Sequence, residues 1–568
     1  MRKPNKKEIN LALNSFSKKE RLVFFALVII FILSTLAVFN ILNKKYMVEV
    51  PALGGTLTEG VIGEAPRFIN PLLATSDADR DLVQLIYSGL LRVGPDGSYI
   101  GDLAESYNIS PDGLTYTFKI RENAVWQDGK PVTSDDVEFT IQKARDPGIK
   151  SYKRPSFEGV SVEKPDDKTV VLKLKQPYSP FLENATTGIL PKHIWSGVDA
   201  ENFTYSKFNI SPVGSGPYKI ESISNSVPPQ YYDLTSFEYF TLGEPKIENL
   251  RIRFYQGEET LLAAYRSGEV ESINTIPPQT AKAMEEQGIN ITRVTLPRIF
   301  AVFFNQNHSK VLADKYARYA LEAMIDKEHV VKDVLLGYGQ TIDGPISTLQ
   351  SSPSNASTTD DARTNTAKKF LTKGGWKFNQ KTGTWEKTVK KVVTTLRLDL
   401  ATADTPELKN AATLIKEDWE KLGVKVTLKV FEIGDLNQNV IRPRKYDALF
   451  FGEIVGRNPD LFSFWHSSQR NDPGLNIAMY TNSKVDKILE NARVQQDPNK
   501  KQKNYSDLQK EIANDTPAVF IYSPDFLYST PTKIKDLVIS NITIPSDRFI
   551  NIYKWYIDTD KIWKIFTK

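Results

Sequence analysis

Apolar and polar positions alternate in different ways along this chain, and each pattern predicts a different element. Leu22 to Leu42 is apolar except at Ser34, Thr35 and Asn40. At about 1.5 Å per residue such a helix spans roughly 30 Å, the thickness of a bilayer's hydrocarbon core. From Pro66 to Asp146 the rhythm shortens. Leu114 to Ile120 (Leu-Thr-Tyr-Thr-Phe-Lys-Ile) alternates as a half-buried strand does, between turns at Pro111-Asp112-Gly113 and Gln127-Asp128-Gly129. Pro95-Asp96-Gly97 predicts a further turn, because Gly supplies the positive φ that tight turns need. Thr133-Ser134-Asp135-Asp136 has the spacing of a capping box, opening a helix through Val137, Phe139, Ile141 and Ala144.

Farther on, Ile299 to Phe304 predicts a buried strand. Ala317, Ala320, Leu321 and Met324 form one helical face, and Asp326 caps a second helix that Gly337 ends. Ser351 to Thr364 is polar and predicts a loop, and Trp376 to Trp385 a surface hairpin. Leu408, Ala412, Ile415, Trp419 and Leu422 share a face of a helix over 407–422 stopped by Gly423, followed by the alternating Val424, Val426, Leu428 and Val430. Helices over 485–492 and 505–512 lead to a strand at 518–522. Helix and strand repeating in this way predict an α/β sheet.

A chain of 568 residues exceeds one compact core, so two or more lobes are expected. There is no cysteine, which excludes disulfides, thiolate metal sites, a cysteine nucleophile and an acyl-modified cysteine. The net charge of +5 is matched by residues 1–21 alone, where seven basic side chains face Glu8 and Glu20. The basic excess therefore belongs to a tail, and no nucleic-acid-binding face is expected. Positive charge before the apolar run predicts a cytoplasmic amino terminus, with everything after Lys44 outside the cell membrane. The competing reading is a cleaved signal peptide. The length of the run and the poor cleavage neighbourhood Phe39-Asn40-Ile41-Leu42 favour a retained single-pass anchor.

Catalytic signatures are sparse. His193, His308, His329 and His466 show no zinc-binding spacing, and Gly129-Lys130 runs into Pro131, which excludes a P-loop there. Asp77, Asp79 and Asp81 are spaced like a calcium loop but lack Gly at the sixth place (Leu82) and Glu at the twelfth (Ser88), so no metal is expected. Nothing pairs the many carboxylates for catalysis. An enzyme is disfavoured, with a hydrolase kept open.

One set of segments, taken in order, resembles the extracytoplasmic solute-binding proteins of peptide and nickel ABC importers, family 5. They are Phe68-Ile69-Asn70-Pro71-Leu72, Tyr87-Ser88-Gly89-Leu90-Leu91, 102–106, 112–118, Trp126-Gln127-Asp128-Gly129-Lys130-Pro131-Val132 and 134–137. The turn Pro212-Val213-Gly214-Ser215-Gly216-Pro217-Tyr218 and the stretch 317–346 resemble the family too. The resemblance implies a two-lobe periplasmic-binding-protein-like fold (type II, cluster C) with an inserted subdomain. The expected divisions are a basic tail (1–21), an anchor (22–42), a tether (43–53), lobe 1 (54–297, with an insertion at about 93–199), lobe 2 (298–516) and a return to lobe 1 (517–568).

It also implies a monomeric receptor without a cofactor that closes on a peptide, or another small polar solute, and delivers it to an ABC permease. A tethered sensor or chaperone-like binder without a transporter is the alternative. One wall of the cleft is expected from Thr75, Ser76 and Asp77. The other is expected from Phe450, Phe451, Gly452, Glu453, Ile454 and Val455, ahead of Asn458-Pro459-Asp460, with Phe464 and Trp465 either cleft aromatics or core. Relatives hold the peptide's amino terminus with an Asp where this chain has Val455 or Gly456. Either Glu453 or Asp77 replaces it, or the ligand carries no free amine.

Overall fold

The computed structural model describes residues 15–224, 230–346, 359–457 and 460–564. Its frame is one twelve-stranded sheet running through both lobes. The path is Lys425–Phe431, Arg397–Ala403, Ala448–Ile454, Arg298–Phe304, Ala518–Ser529, Ser272–Asn274, Gly54–Ile62, Ile247–Tyr255, Gln230–Ser236 and Tyr218–Ser224. Ala518–Ser529 belongs to both lobes. Its first half pairs antiparallel with Arg298–Phe304 (Val302 opposite Val519), and its second half with Ile291–Thr295 (Thr292 opposite Tyr528).

The hydrophobic cores separate at the same place. One runs from Ile299 to Tyr522; the other gathers Leu57 to Leu296 with Phe526 to Trp555. The chain crosses between lobes at Leu296-Pro297 and again at Ser523-Pro524, so the return lies beyond the expected position 517. Proline has no amide hydrogen to give a ladder. Each crossing therefore lacks one amide donor, while the strand Ala518–Ser529 continues through Pro524, which pairs with Gly339 and whose carbonyl accepts from Leu296 N–H at 3.0 Å.

An antiparallel four-stranded sheet (Ala104–Ile109, Thr115–Ile120, Thr169–Lys173, Ser161–Asp166) stands apart from the main one. Tyr116, Phe118 and Ile120 face its core, as their alternation predicts. Gly97, Gly113 and Gly129 all take positive φ, the conformation expected of the three turns. The helix Ser134–Arg145 begins at the predicted capping box, with the Asp136 carboxylate accepting from Thr133 N–H at 2.9 Å. In lobe 2 the helix Pro406–Leu422 ends at Gly423 (φ 94°) and leads into Lys425–Phe431.

Three expectations change. Residues 360–364 open the helix Asp360–Lys373, capped by Thr359, and the rest of the expected loop, 351–358, lies outside the described residues. The 376–385 hairpin is no mere surface feature: Trp376 and Trp385 are buried, and Val392–Thr395 adds a third strand. Residues 43–53 are not a free tether. The apolar helix runs from Lys18 to Tyr46, and Met47–Pro51 pairs with Thr559–Trp563. No side chain of that helix is buried.

Candidate ligand-binding cleft

The lobe 1 wall is built from Asn70 outward. Buried Asn70 bonds Asn209 (3.1 Å) and accepts from Leu72 N–H (3.0 Å), which fixes the chain entering the helix Asp77–Ile86. Asp79 then holds that helix's start, accepting from the backbone N–H groups of Arg67, Phe68, Thr75 and Ser76. Ser76 caps the helix by accepting from Asp79 N–H at 3.1 Å. Thr75, Ser76 and Asp77 are thus an exposed, rigidly held tip, and Asp77 pairs with Arg80 at 3.3 Å. Asp81 is fully buried against Arg548. Two of the three calcium-spaced carboxylates are therefore occupied by backbone amides and a guanidinium. Among the described residues no group of three or more acidic or His side chains is arranged for a metal.

The lobe 2 wall, Ala448–Ile454, lies between Arg298–Phe304 and Arg397–Ala403, and its pleat divides the expected residues between two faces. Phe450 is fully buried, packed on Phe300 and Tyr522 with ring centroids 6.5 and 6.2 Å away. Gly452 lies under the Phe300 ring, where a Cβ would come within 2.7 Å of Phe300 Cε1. Phe451 is half-buried against the lobe 2 core, Ile454 is exposed, and Val455 N–H donates to the Pro297 carbonyl (3.0 Å) beside the hinge. Trp465 packs on Phe303, Tyr480 and Phe520. Phe450 and Trp465 are therefore core residues and not cleft aromatics. Phe464 is half-buried against the same core.

Glu453 differs from its neighbours. It is 6 % exposed, and neither carboxylate oxygen has a hydrogen-bond partner. Burial alone pushes its carboxyl well above the usual range. An isolated buried carboxyl stays neutral until a cation reaches it.

Sequence reasoning missed Arg457. It follows the expected wall directly, yet its guanidinium crosses to lobe 1, where it bonds Asp547 (2.9 Å), Glu183 (3.5 Å) and the Asn541 carbonyl (2.9 Å). No local signal marks it, because its partners are distant in sequence. Asn458 and Pro459 lie outside the described residues, but Asp460 joins a second bridge: Tyr178 donates to it at 3.2 Å, and Arg493 holds it at 2.6 Å. Lys501 adds a bond to Ser179 at 2.6 Å, and burial lowers its ammonium to about 8. Beside Arg457 a cavity of about 340 Å³ opens between Ala74, Arg80, Gln84, Thr187 and Asp547.

Two lobes thus share a strand; lobe 2 carries the orphaned Glu453 carboxyl, and a separate polar cavity lies beside Arg457. The sequence model for "Bacterial extracellular solute-binding proteins, family 5 Middle" matches residues 98–474. This chain belongs to that family. Its folded body is an extracytoplasmic solute-binding domain of the type II periplasmic-binding-protein fold, preceded by an apolar helix. The oligopeptide-binding protein AppA of Bacillus subtilis is 29 % identical over 528 residues, covering 91 % of this chain and 94 % of AppA. The structure of AppA in complex with a nonapeptide superposes with TM-score 0.67 at 28 % identity, over 90 % of this chain and all of that one. NikZ from Campylobacter jejuni in complex with Ni(L-His) gives TM-score 0.69 at 26 % identity, over 88 % of this chain and 99 % of NikZ.

Proposed function

We propose that this family 5 protein is a membrane-anchored peptide receptor that captures peptides between its lobes and delivers them to an ABC permease. The observation that carries the reading is the hinge: one strand, Ala518–Ser529, is shared by both lobes, and the two crossings lie side by side at Pro297 and Pro524. Such a joint turns ligand contacts made by both lobes into a shift from open to closed, in proportion to the difference in affinity between the two states. A relative of nearly the same length is described with a nonapeptide, which supports peptides as the solute. Main-chain pairing along a cleft tolerates many peptide sequences.

In this reading Glu453 receives the peptide's ammonium. Its empty acceptors match that group's donors, whereas Asp77 is already paired with Arg80. Thr75–Asp77 and the rim at Ile454 and Val455 flank the ligand. The helix Lys18–Tyr46 keeps the receptor at the outer surface, and its basic flank keeps the amino terminus in the cytoplasm.

Reconstituting the full chain with its permease in proteoliposomes tests this. Peptide-stimulated ATPase activity is expected. Peptide binding without stimulation would leave a tethered binder, and cleavage of the peptide would make the protein a hydrolase.

A further inference from the structure

The ribbon that follows the apolar helix has no core of its own. Met47–Pro51 and Thr559–Trp563 form a separate two-stranded sheet, and neither strand has a buried side chain. Two strands alone are marginally stable in water. This ribbon nevertheless joins two rigid elements. At one end Met47 N–H closes the helix Lys18–Tyr46 onto the Asn43 carbonyl, so no linker separates helix from strand. At the other, Ala52 N–H bonds the Asp558 carbonyl (3.0 Å) and the chain enters the lobe 1 strand Gly54–Ile62. Where helix and ribbon meet, the Tyr46 and Trp563 rings stack, with centroids 6.3 Å apart and planes within 6°. Tyr46 is 43 % exposed, Trp563 is half-exposed, and Lys44, Lys45 and Lys564 are exposed beside them.

Height along the helix decides what covers this pair. Leu42 ends the apolar run, and Tyr46 lies four residues on, about 6 Å farther along the axis at roughly 1.5 Å per residue. A bilayer's headgroup layer is roughly 5–8 Å deep on each side of its hydrocarbon core. Aromatic rings with a polar edge, and lysines with long apolar stems, are the side chains that settle in that layer. We propose that the stacked pair Tyr46 and Trp563 is a docking surface for phospholipid headgroups. It clamps lobe 1 to the bilayer through the strand Thr559–Trp563, which is distant in sequence from the anchor. The proposal rests on the retained anchor of the proposed function and deepens it. Five residue pairs, at about 3.4 Å per residue, set lobe 1 roughly 17 Å beyond Tyr46. Lobe 1 is then the stationary half of the receptor, and lobe 2 the half that swings.

The chain has no cysteine, so a single introduced cysteine reports position without background. The full chain is placed in phosphatidylcholine nanodiscs that contain a headgroup nitroxide lipid, with a fluorophore on Asn40→Cys, Lys564→Cys or Gly197→Cys. Asn40 lies in the apolar run, Lys564 follows Trp563, and Gly197 is on the exposed surface of lobe 1. Quenching at 564 is expected to approach that at 40, with none at 197. Trp563→Ala gives up the ring's apolar area and is expected to lower quenching at 564 by at least about threefold. Trp563→Tyr is expected to restore it. Both variants should melt like the parent, because Trp563 lies outside the cores of both lobes. Quenching at 40 but not at 564, or quenching at 564 that survives Trp563→Ala, overturns the docking surface while the anchor stands. A surface reserved for a protein partner would give the first of these results, since the nanodisc holds lipid alone. If 40 is not quenched either, the anchor falls and the docking surface with it.

Discussion

Replacing Arg548 by methionine tests whether lobe 1 is held together through its last fifty residues. Arg548 is fully buried. It bonds Glu59 through Nε (2.8 Å) and Asp81 through Nη1 (2.8 Å) and Nη2 (2.6 Å), tying the carboxyl-terminal segment to a central strand and to the helix that presents Thr75–Asp77. Without the guanidinium, Glu59 keeps Tyr528 (2.6 Å), Ser272 (3.1 Å) and Asn274 (3.0 Å), but Asp81 loses the only side-chain partner described for it. Leaving a buried charge unpaired costs about 3–5 kcal/mol. For a folded body of about 500 residues, with a melting entropy of about 1 kcal/mol/K, that lowers Tm by roughly 3–5 °C.

The pH dependence has a definite sign. Burial pushes Asp81 up to about 6 from 3.8, even with Arg548 opposing it. A carboxyl raised in this way binds its proton more tightly when folded, so its contribution is full below about pH 4 and is lost as pH rises through about 6. Removing Arg548 raises it further, so the variant's deficit must be larger at pH 8 than at pH 5. Urea denaturation of the full chain in detergent, followed by tryptophan fluorescence at both pH values, measures this. Arg548→Met combined with Asp81→Leu is expected to recover much of the loss. A deficit below about 1 kcal/mol at pH 8, or one that grows on acidification, refutes the account.

Three further predictions use the same chain. Glu453→Gln removes a carboxyl that is unpaired and raised, whose contribution is full below its unfolded value and declines as pH rises; it is expected to raise Tm at pH 8, leave it unchanged at pH 4, and weaken binding of free-amine peptides, and a lower Tm at pH 8 would count against the site. Gly214→Ala places a Cβ 1.9 Å from the Ile86 carbonyl oxygen and is expected to destabilise by about 1–3 kcal/mol or more in urea titrations, whereas Gly197→Ala, with nothing within 4 Å, has no such effect. Ser76→Ala removes a helix cap and should lower stability by about 1 kcal/mol by the same measure.

Local chemistry was readable residue by residue. The Asp-Gly turns, the Thr133–Asp136 cap, the strand through Tyr116 and Phe118 and the helix ending at Gly423 each depend on residues a few places apart, and each appears where its pattern put it. The turn around Gly214 and Gly216 was readable as rigid. Its reason, the backbone of Ile86 pressed against both glycines and that of Leu85 against Gly216, was not. The expected walls of the cleft were only partly legible, because alternation along Ala448–Ile454 shows that Phe450 and Glu453 face opposite ways but not which neighbour covers each face.

The sequence by itself determined the elements, the apolar helix and the family, since spacing, capping and turn chemistry act over a few residues. Only the tertiary structure decided that the second crossing falls at Pro524, that Trp465 fills a core, that Glu453 is left without a partner, and that Arg457 and Arg548 reach acids far away in the chain. The reason is physical: burial and ion pairing depend on which surfaces meet in space, and a two-lobe sheet brings together residues hundreds of positions apart.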